Sequence, residues 1–213
     1  MITDLRMYTL HPGKLPTYLD LYAEEGWPLQ LEYLERCDGF YVVDVGVQNS
    51  VVHMWTHEDM AEREQRRKQM QADARWNVFC EKISGFFLHQ ENHILRSAPF
   101  FPGQGTRPGP DDIVDLRTYT LCHGRRGEFF KLYESEGRAI QERHWGKPVG
   151  FYFSDIGNLN RIVHLWAYRD YEDRVKRRAT LLGDPAWKAY LAKVLPLFVK
   201  MENMTLRPAP FWR

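Results

Sequence analysis

Apolar and polar residues alternate over Ile2–Leu10, and a period of two predicts a β-strand. After a His-Pro-Gly turn, apolar residues recur at the spacing of a helix. This pattern predicts a helix from Leu15 to Leu34, with an interruption near Gly26 because glycine is a poor helix former.

Two more alternating segments, Gly39–Val45 and Val51–Thr56, predict a β-hairpin. Asp59 followed by Glu62 is typical of a helix N-cap with an acidic capping box, and a charged helix is expected after it. Glu91–Arg96 predicts a short last strand. The element order is therefore β-α-β-β-α-β, which is the ferredoxin-like pattern.

The same series of residues occurs twice along the chain. Ile2–Leu10 returns as Ile113–Leu121, and Val52–Trp55 returns as Val163–Trp166, at a constant offset that needs no gap. Self-similarity at a fixed offset indicates a duplicated structural unit, and with two domain-sized copies it is not a solenoid.

The repeat defines the predicted organisation of the chain. Residues 1–101 form a first module, residues 102–111 a linker rich in Gly and Pro, and residues 112–213 a second module. Helices cover one face of a ferredoxin-like sheet, and the other face needs a different cover. We therefore predict an α+β fold in which the two sheets pack face to face as an α+β barrel, with the helices outside.

Sorting the strands by face suggests where chemistry lies. We expect leucine and valine to face the helices, because such positions suit an apolar helix-to-sheet contact. The opposite face is then directed into the space between the two sheets. Its expected residues are Arg6, Tyr8, His53, Trp55, Asn92 and Arg96 in the first copy and Arg117, Tyr119, His164, Trp166, Asn203 and Arg207 in the second.

This polar set has two interpretations, which the sequence leaves open. It is either a paired structural network at the module interface or the lining of a pocket for a small aromatic or acidic ligand. In a pocket, arginine would hold an anion and His53 or His164 would be the candidate base. His144 beside Trp145 is a further candidate ligand-binding residue, at the end of a helix near the expected barrel mouth.

Composition narrows the function. The net charge of +1 argues against a general nucleic-acid binder, whose domains are usually strongly basic. No apolar run is long enough for a membrane span, and the first residues lack a signal-peptide core, so we expect a cytoplasmic protein. The basic residues of the charged helices are expected to form a solvated face with i,i+4 ion pairs.

No cofactor is expected from the residues. His, Cys, Asp and Glu show no recognised metal-ligand spacing, and Cys37, Cys80 and Cys122 are too far apart in the sequence for a paired motif. Heme held by a single axial histidine in a roomy barrel is a disfavoured alternative.

Several segments resemble the NIPSNAP family. They are Asp115–Leu121, Gly150–Gly157, Val163–Tyr168 and Glu202–Pro210, and the resemblance extends over both modules. It implies membership of the dimeric α+β-barrel superfamily, which includes cofactor-free monooxygenases, isomerases and heme-handling proteins. The NIPSNAP family itself has no agreed enzymatic activity, and fold alone does not assign one.

Three functions stay open at this point. The first is small-molecule binding in the barrel, with a cofactor-independent monooxygenase or isomerase as its enzymatic form; the others are a protein-interaction module and a heme carrier. We also expect a homodimer, because open sheet edges and aromatic residues near the end of each module are typical of an interface. Those aromatic residues are Phe100, Phe101, Phe211 and Trp212.

Overall fold

The structure is a computed structural model that describes residues 1–101, 103 and 105–212. Its eight strands, β1 to β8 in chain order, form one closed antiparallel barrel in the order β1-β3-β2-β8-β5-β7-β6-β4. Both copies have the predicted β-α-β-β-α-β order, so the predicted fold class is confirmed. The strands are Ile2–Leu10, Cys37–Val45, Ser50–His57, Phe87–Ser97, Ile113–Leu121, Gly150–Ile156, Arg161–Tyr168 and Phe198–Pro208.

Helices α1 to α8 lie outside the barrel, four to a module. The predicted helix over Leu15–Leu34 is confirmed, and its interruption is a π-helical turn over Tyr22–Gly26 that joins α1 to α2. The second copy repeats this turn at Tyr133–Gly137. The helices are Leu15–Leu21, Trp27–Leu34, Met60–Ala72, Ala74–Ile83, Arg126–Leu132, Arg138–Trp145, Tyr171–Gly183 and Pro185–Val194.

A glycine ends each π turn because another helix packs directly against it. A Cβ atom at Gly26 would lie 2.6 Å from the ring of Phe79 in α4, and one at Gly137 would lie 2.6 Å from the ring of Tyr190 in α8. Both distances are shorter than a carbon–carbon contact allows, so glycine permits the last helix of each module to approach the first.

The predicted helix starts are confirmed by their hydrogen bonds. The Asp59 carboxylate accepts the backbone N–H of Glu62, and the Glu62 carboxylate accepts the N–H of Glu58, the residue before the N-cap, in a variant of the capping box. Asp170 caps α7 in the same way. Asp184 caps α8 and is followed by a proline in the first turn.

The predicted directions of the two sheet faces are wrong. Leucine, valine and methionine residues fill the interior of the barrel, and the polar set faces the helices. Leu5 and Val52 of the first module pack in one core cluster with Leu116 and Leu206 of the second. Arg6 and His53, by contrast, line a cavity together with residues of α3 and α4.

The size of the barrel explains this reversal. The interior of an eight-stranded barrel is narrow enough to be filled by side chains. Here apolar side chains of both modules form one buried cluster in it. Alternation along a strand separates two faces but does not say which of them meets the other sheet.

The two sheets have no free edges, which removes the basis of the predicted dimer contact. Strand β2 pairs with β8, and β4 pairs with β6, so each module closes the edges of the other. The residues that follow β4 and β8 also pack on the opposite module. Phe100 packs on Phe151 of the second module, and Phe211 packs on Phe40 of the first. The dimer itself stays a prediction.

The division into modules at residues 102–111 also stays a prediction, since Pro102 and Gln104 of the predicted linker lie outside the described residues. Among the helices of the described ranges, none combines the length and apolar character that crossing a membrane requires.

Candidate functional site

Each module has a cavity between the outer face of its sheet and the covering helices. The second module's cavity, of about 190 Å³, is the better enclosed by aromatic rings and is called here cavity 2. The first module's cavity, of about 430 Å³, is called cavity 1. The predicted site residues therefore form two separate groups, one in each module, rather than one shared group inside the barrel.

A buried carboxylate anchors the polar end of cavity 2. Asp115 is fully buried and accepts Nη1 of Arg117 at 2.8 Å and Nη2 of Arg174 at 3.0 Å. Nη1 of Arg178 lies 3.9 Å from the same carboxylate. Three guanidinium groups thus surround one carboxylate, and the excess of positive charge lies beside the cavity.

The first module repeats this arrangement. Asp4 accepts Nε of Arg6 at 3.2 Å and Nε of Arg63 at 2.8 Å, and Arg67 lines the cavity next to them. Burial raises the pKa of the Asp4 carboxyl, but the nearby arginines outweigh it and hold that pKa below its ordinary value. In both modules the aspartate therefore pairs with the arginine two residues further along the same strand.

The excess charge also affects the third arginine of each set. Burial and the neighbouring Arg117 and Arg174 lower the pKa of Arg178, and burial and Arg6 lower the pKa of Arg67. Burial and neighbouring positive charge both disfavour the charged form of a guanidinium, and an anion placed beside it would favour that form.

The hydrogen bond to His164 determines what this residue can do. Trp166 donates its indole N–H to Nδ1 of His164 at 2.7 Å, so Nδ1 is the unprotonated nitrogen and Nε2 carries the proton. Burial and the nearby Arg117 hold the pKa of His164 well below its ordinary range, which keeps the ring neutral. Nε2 is therefore a hydrogen-bond donor to the cavity. Trp55 and His53 repeat the pair in the first module at 2.8 Å.

Four buried polar atoms of cavity 2 have no hydrogen-bond partner among the described residues. They are the hydroxyl of Tyr133, Nε1 of Trp145, Nε2 of His164 and Nη1 of Arg178. Each of them can donate a hydrogen bond. Since unpaired buried polar groups cost free energy, four of them around one cavity indicate a place for an acceptor.

Aromatic rings form the walls between these donors. The ring of Phe151 stacks on His164 at 4.9 Å, and Tyr119 meets the same imidazole edge-on at 4.8 Å. The guanidinium of Arg117 lies 5.4 Å from the ring centre of Trp145. The walls therefore suit a flat apolar group, while the donors suit its electron-rich end.

The two cavities differ at the start of the π turn. In cavity 1 the hydroxyl of Tyr22 donates to Oε1 of Gln30, so both groups are satisfied. In cavity 2 the equivalent Tyr133 hydroxyl has no partner, although Gln141 is buried nearby. The first module has Leu34 where the second has Trp145. Cavity 2 accordingly has four unsatisfied donors, whereas in cavity 1 Nε2 of His53 is the one such donor among the described residues.

Six of the predicted residues do not line the cavities. Trp55 and Trp166 donate to the histidines that line them, and Arg96 donates to Asp155 at the surface. Asn203 lies on the same sheet face and donates to Asp115 at 3.4 Å. Arg207 is an exposed residue that donates to Asp44 at 3.1 Å. His144 contacts the N-cap carboxylate of α8, with Nε2 2.9 Å from Asp184, and only its neighbour Trp145 lines cavity 2.

The contributions of the helices were not predicted from the sequence. Arg174 and Arg178, assigned to a solvated face, reach the buried Asp115, as Arg63 reaches Asp4. Only part of that helix face makes the expected i,i+4 pairs, as in Arg177 with Asp173. These arginines have the same spacing in both copies, and that repetition was the sequence signal that could have identified them as site residues. The tyrosine at the start of each π turn was also missed.

Heme does not fit the histidines of this site. Axial ligation needs a free lone pair on the nitrogen that faces the cavity, but Nε2 of His164 carries the proton because Nδ1 accepts from Trp166. A cavity of about 190 Å³ also has room for about one six-membered ring, since about 150 Å³ is enough for benzene. In the described ranges, no three His, Cys, Asp or Glu side chains cluster as metal ligands would.

Comparison with known proteins agrees with the fold and the repeat. The sequence model of the NIPSNAP family matches residues 3–102 and again 114–213. The NipSnap homolog of Dictyostelium discoideum is 29% identical over 214 residues, which cover 97% of this chain and 87% of that protein. Human NipSnap homolog 2 is 31% identical over 166 residues, covering 76% of this chain and 56% of that protein.

A solved Lactobacillus acidophilus structure shares the fold with a TM-score of 0.66 at 14% identity, covering 96% of this chain and 92% of that one. The chain therefore belongs to the NIPSNAP family, with two copies of the family's module in tandem.

Proposed function

We propose that the protein binds a small aromatic anion in cavity 2, between the sheet and the helices of the second module. One observation carries the proposal: four buried donors without partners surround an aromatic cavity that lies beside an excess of arginine. A carboxylate or phenolate would accept from these donors and balance the charge of Arg178, and its ring would lie between Phe151 and Trp145.

The donor set favours binding over proton abstraction. A cofactor-independent monooxygenase or isomerase needs a base, and neither nitrogen of neutral His164 is free to accept a proton while Trp166 holds Nδ1. In this proposal His164 instead donates Nε2–H to the bound anion. The same group would stabilise an enolate if a substrate reached the site already deprotonated.

A solid interaction module explains the structure less well. That alternative expects arginine and histidine residues that are all paired and no cavity. The barrel interior contains a buried apolar cluster, but the partnerless donors of Tyr133, Trp145 and His164 lie outside it, around an open volume.

Calorimetric titration tests the proposal with benzoate as the probe and benzyl alcohol as an uncharged ligand of similar size. We expect benzoate to bind and benzyl alcohol to bind at least about tenfold more weakly, because charge-assisted hydrogen bonds contribute roughly 1.5–3 kcal/mol. Arg178→Gln is expected to weaken benzoate binding by about tenfold or more on the same argument.

The matched control is Arg125→Gln, which removes an arginine whose partner is Glu128 on the surface of the second module. Its affinity for benzoate should equal that of the unmodified protein. Equal affinity for the acid and the alcohol, or equal loss in the two arginine variants, would contradict an anion site at cavity 2.

A further inference from the structure

The two cavities have mouths of opposite character. Three exposed apolar residues of cavity 2, Leu182, Leu195 and Met201, have exposed fractions of 52%, 47% and 46%. The repeat places polar residues at the equivalent positions of cavity 1, and these are Gln71, Ser84 and Gln90. Single exposed apolar side chains are normal on a protein surface, but several at one opening are typical of a binding site.

Polarity changes in one direction along the strands of the second module. On the outer face of β5, Asp115 and Arg117 are followed by Tyr119. Their partners on the antiparallel strand β8 change from polar to apolar in the same direction, from Thr205 through Asn203 to Met201. Successive residues on one strand face are about 7 Å apart, so the buried carboxylate and the apolar mouth are separated by about 13 Å.

Helix α7 shows the same gradient over the same length. Arg174, Arg178 and Leu182 follow one another at i,i+4 spacing, so they share a face and are about 6 Å apart along the axis. In the first module the corresponding series of α3 is Arg63, Arg67 and Gln71, which ends in a polar residue. On both the strands and the helix, the lining of cavity 2 changes from cationic at the buried end to apolar at the mouth, whereas the lining of cavity 1 ends in polar residues.

We infer that the ligand of cavity 2 is an amphipathic acid, with its anionic ring inside and an alkyl chain that leaves over Leu182, Leu195 and Met201. This inference rests on the proposed function and specifies its ligand class. The cavity has room for about one ring, so a longer apolar chain must extend through the mouth. An apolar mouth gains free energy when such a chain covers it, and a polar mouth does not.

Titration calorimetry with benzoate and 4-butylbenzoate tests this inference through the ratio of their affinities. In the unmodified protein we expect 4-butylbenzoate to bind about tenfold tighter or more, since each fully buried methylene contributes up to about fourfold. The triple variant Leu182→Gln, Leu195→Ser, Met201→Gln gives the second module the polar mouth of the first. Its ratio is expected to fall to about threefold or less, as most of the methylene contribution is lost.

The control is Leu159→Gln, which replaces an exposed leucine in the loop between β6 and β7 and should keep the ratio of the unmodified protein. The single variant Met201→Gln makes only the exposed strand position of the mouth polar, and it is expected to lower the ratio in the same direction. It keeps the test decisive if the triple variant does not fold.

The possible failures are distinguishable. A protein that binds benzoate with no preference for the butyl chain, or whose preference survives the triple variant, overturns the amphipathic ligand and leaves the anion site standing. A protein that binds neither acid overturns the proposed function and this inference together. 4-Butylbenzamide that binds as tightly as 4-butylbenzoate would show apolar adsorption at the mouth only and would overturn both as well.

Discussion

Trp166 donates its indole N–H to Nδ1 of His164 across 2.7 Å, and this one hydrogen bond leaves the other imidazole nitrogen as a donor that faces cavity 2. Trp55 and His53 form the same pair in the first module at 2.8 Å. Both modules therefore have the histidine in the same tautomer, with the proton on Nε2.

The first prediction concerns pH. Burial and Arg6 lower the pKa of His53 to about 3, and burial and Arg117 lower that of His164, so both rings stay neutral in the folded protein. An unfolded chain binds these protons near pH 6.5, so stability is fully present above that pH and is lost as the pH falls. We expect a loss of about 2 kcal/mol from His53 between pH 6.5 and 4.5, and a further loss in the same direction from His164.

Urea unfolding at the two pH values measures this loss. His53→Gln keeps an acceptor for Trp55 but does not titrate, so it should reduce the loss by about 2 kcal/mol. An unfolding free energy that does not change between pH 6.5 and 4.5 would show that the two imidazoles are not held neutral.

The second prediction compares two equivalent tyrosines. Tyr133→Phe removes a buried hydroxyl that has no partner, so it should not lower stability, and it should weaken benzoate binding by removing a donor. Tyr22→Phe removes a hydroxyl that donates to Gln30 and leaves that buried amide unsatisfied. It should cost about 1–3 kcal/mol. Thermal unfolding of both variants, with a titration of Tyr133→Phe, checks the pair. Equal destabilisation would mean that the Tyr133 hydroxyl is also satisfied.

The third prediction concerns the π turns. Gly26→Ala and Gly137→Ala each place a methyl group against an aromatic ring and should destabilise the protein by about 1–3 kcal/mol. Gly127→Ala in α5 is the matched control, because its methyl group would meet nothing within 4 Å. That variant should be neutral or stabilising by up to about 1 kcal/mol. Denaturant unfolding gives all three values, and a neutral Gly137→Ala would argue against the close approach of α8.

The fourth prediction concerns the exchanged ends of the modules. Phe100 is buried among Phe130, Tyr133 and Phe151 of the second module, at ring distances of 5.0 to 5.6 Å. Phe100→Ala should therefore cost about 3–5 kcal/mol, the usual value for a buried phenylalanine. Unfolding followed separately by fluorescence and by circular dichroism should still give one transition, since the closed barrel couples both modules. Two separate transitions would show that the modules unfold independently.

Much of the fold was predictable from local pattern. Strand alternation, helical spacing and the N-cap at Asp59 act within a few residues, and the repeat made each pattern visible twice. The helix over Leu15–Leu34 is an example, since even its interruption near Gly26 is present as the π turn.

The direction of the sheet faces was not predictable in the same way. Leu5 suits either a helix or a second sheet, because both offer an apolar surface, and only the closure of the barrel decides between them. The closure depends on pairing between β2 and β8, which are far apart in the sequence. For the same reason Phe211 was assigned to an external interface although it packs inside the molecule on Phe40.

The site was predictable in its strand residues but not in its helix residues. Arg117 and His164 follow from alternation and from the repeat. Arg178 lies in a helix full of ion pairs, and the buried carboxylate that it approaches is far away in the sequence, in β5, so there is no local signal for the contact. The missing partner of Tyr133 depends on the position of Gln141 and has no counterpart in the sequence, where both copies read alike at these two positions.

The most direct test of the central claim is the position of a bound anion. A crystal of the protein soaked with 4-bromobenzoate would show the bromine by its anomalous scattering. We predict a bromine between the sheet and α7 of the second module, at the mouth lined by Leu182 and Met201, with the carboxylate toward Arg178. A bromine inside the barrel, or no ordered bromine in cavity 2 at a concentration that saturates binding in solution, would contradict the account.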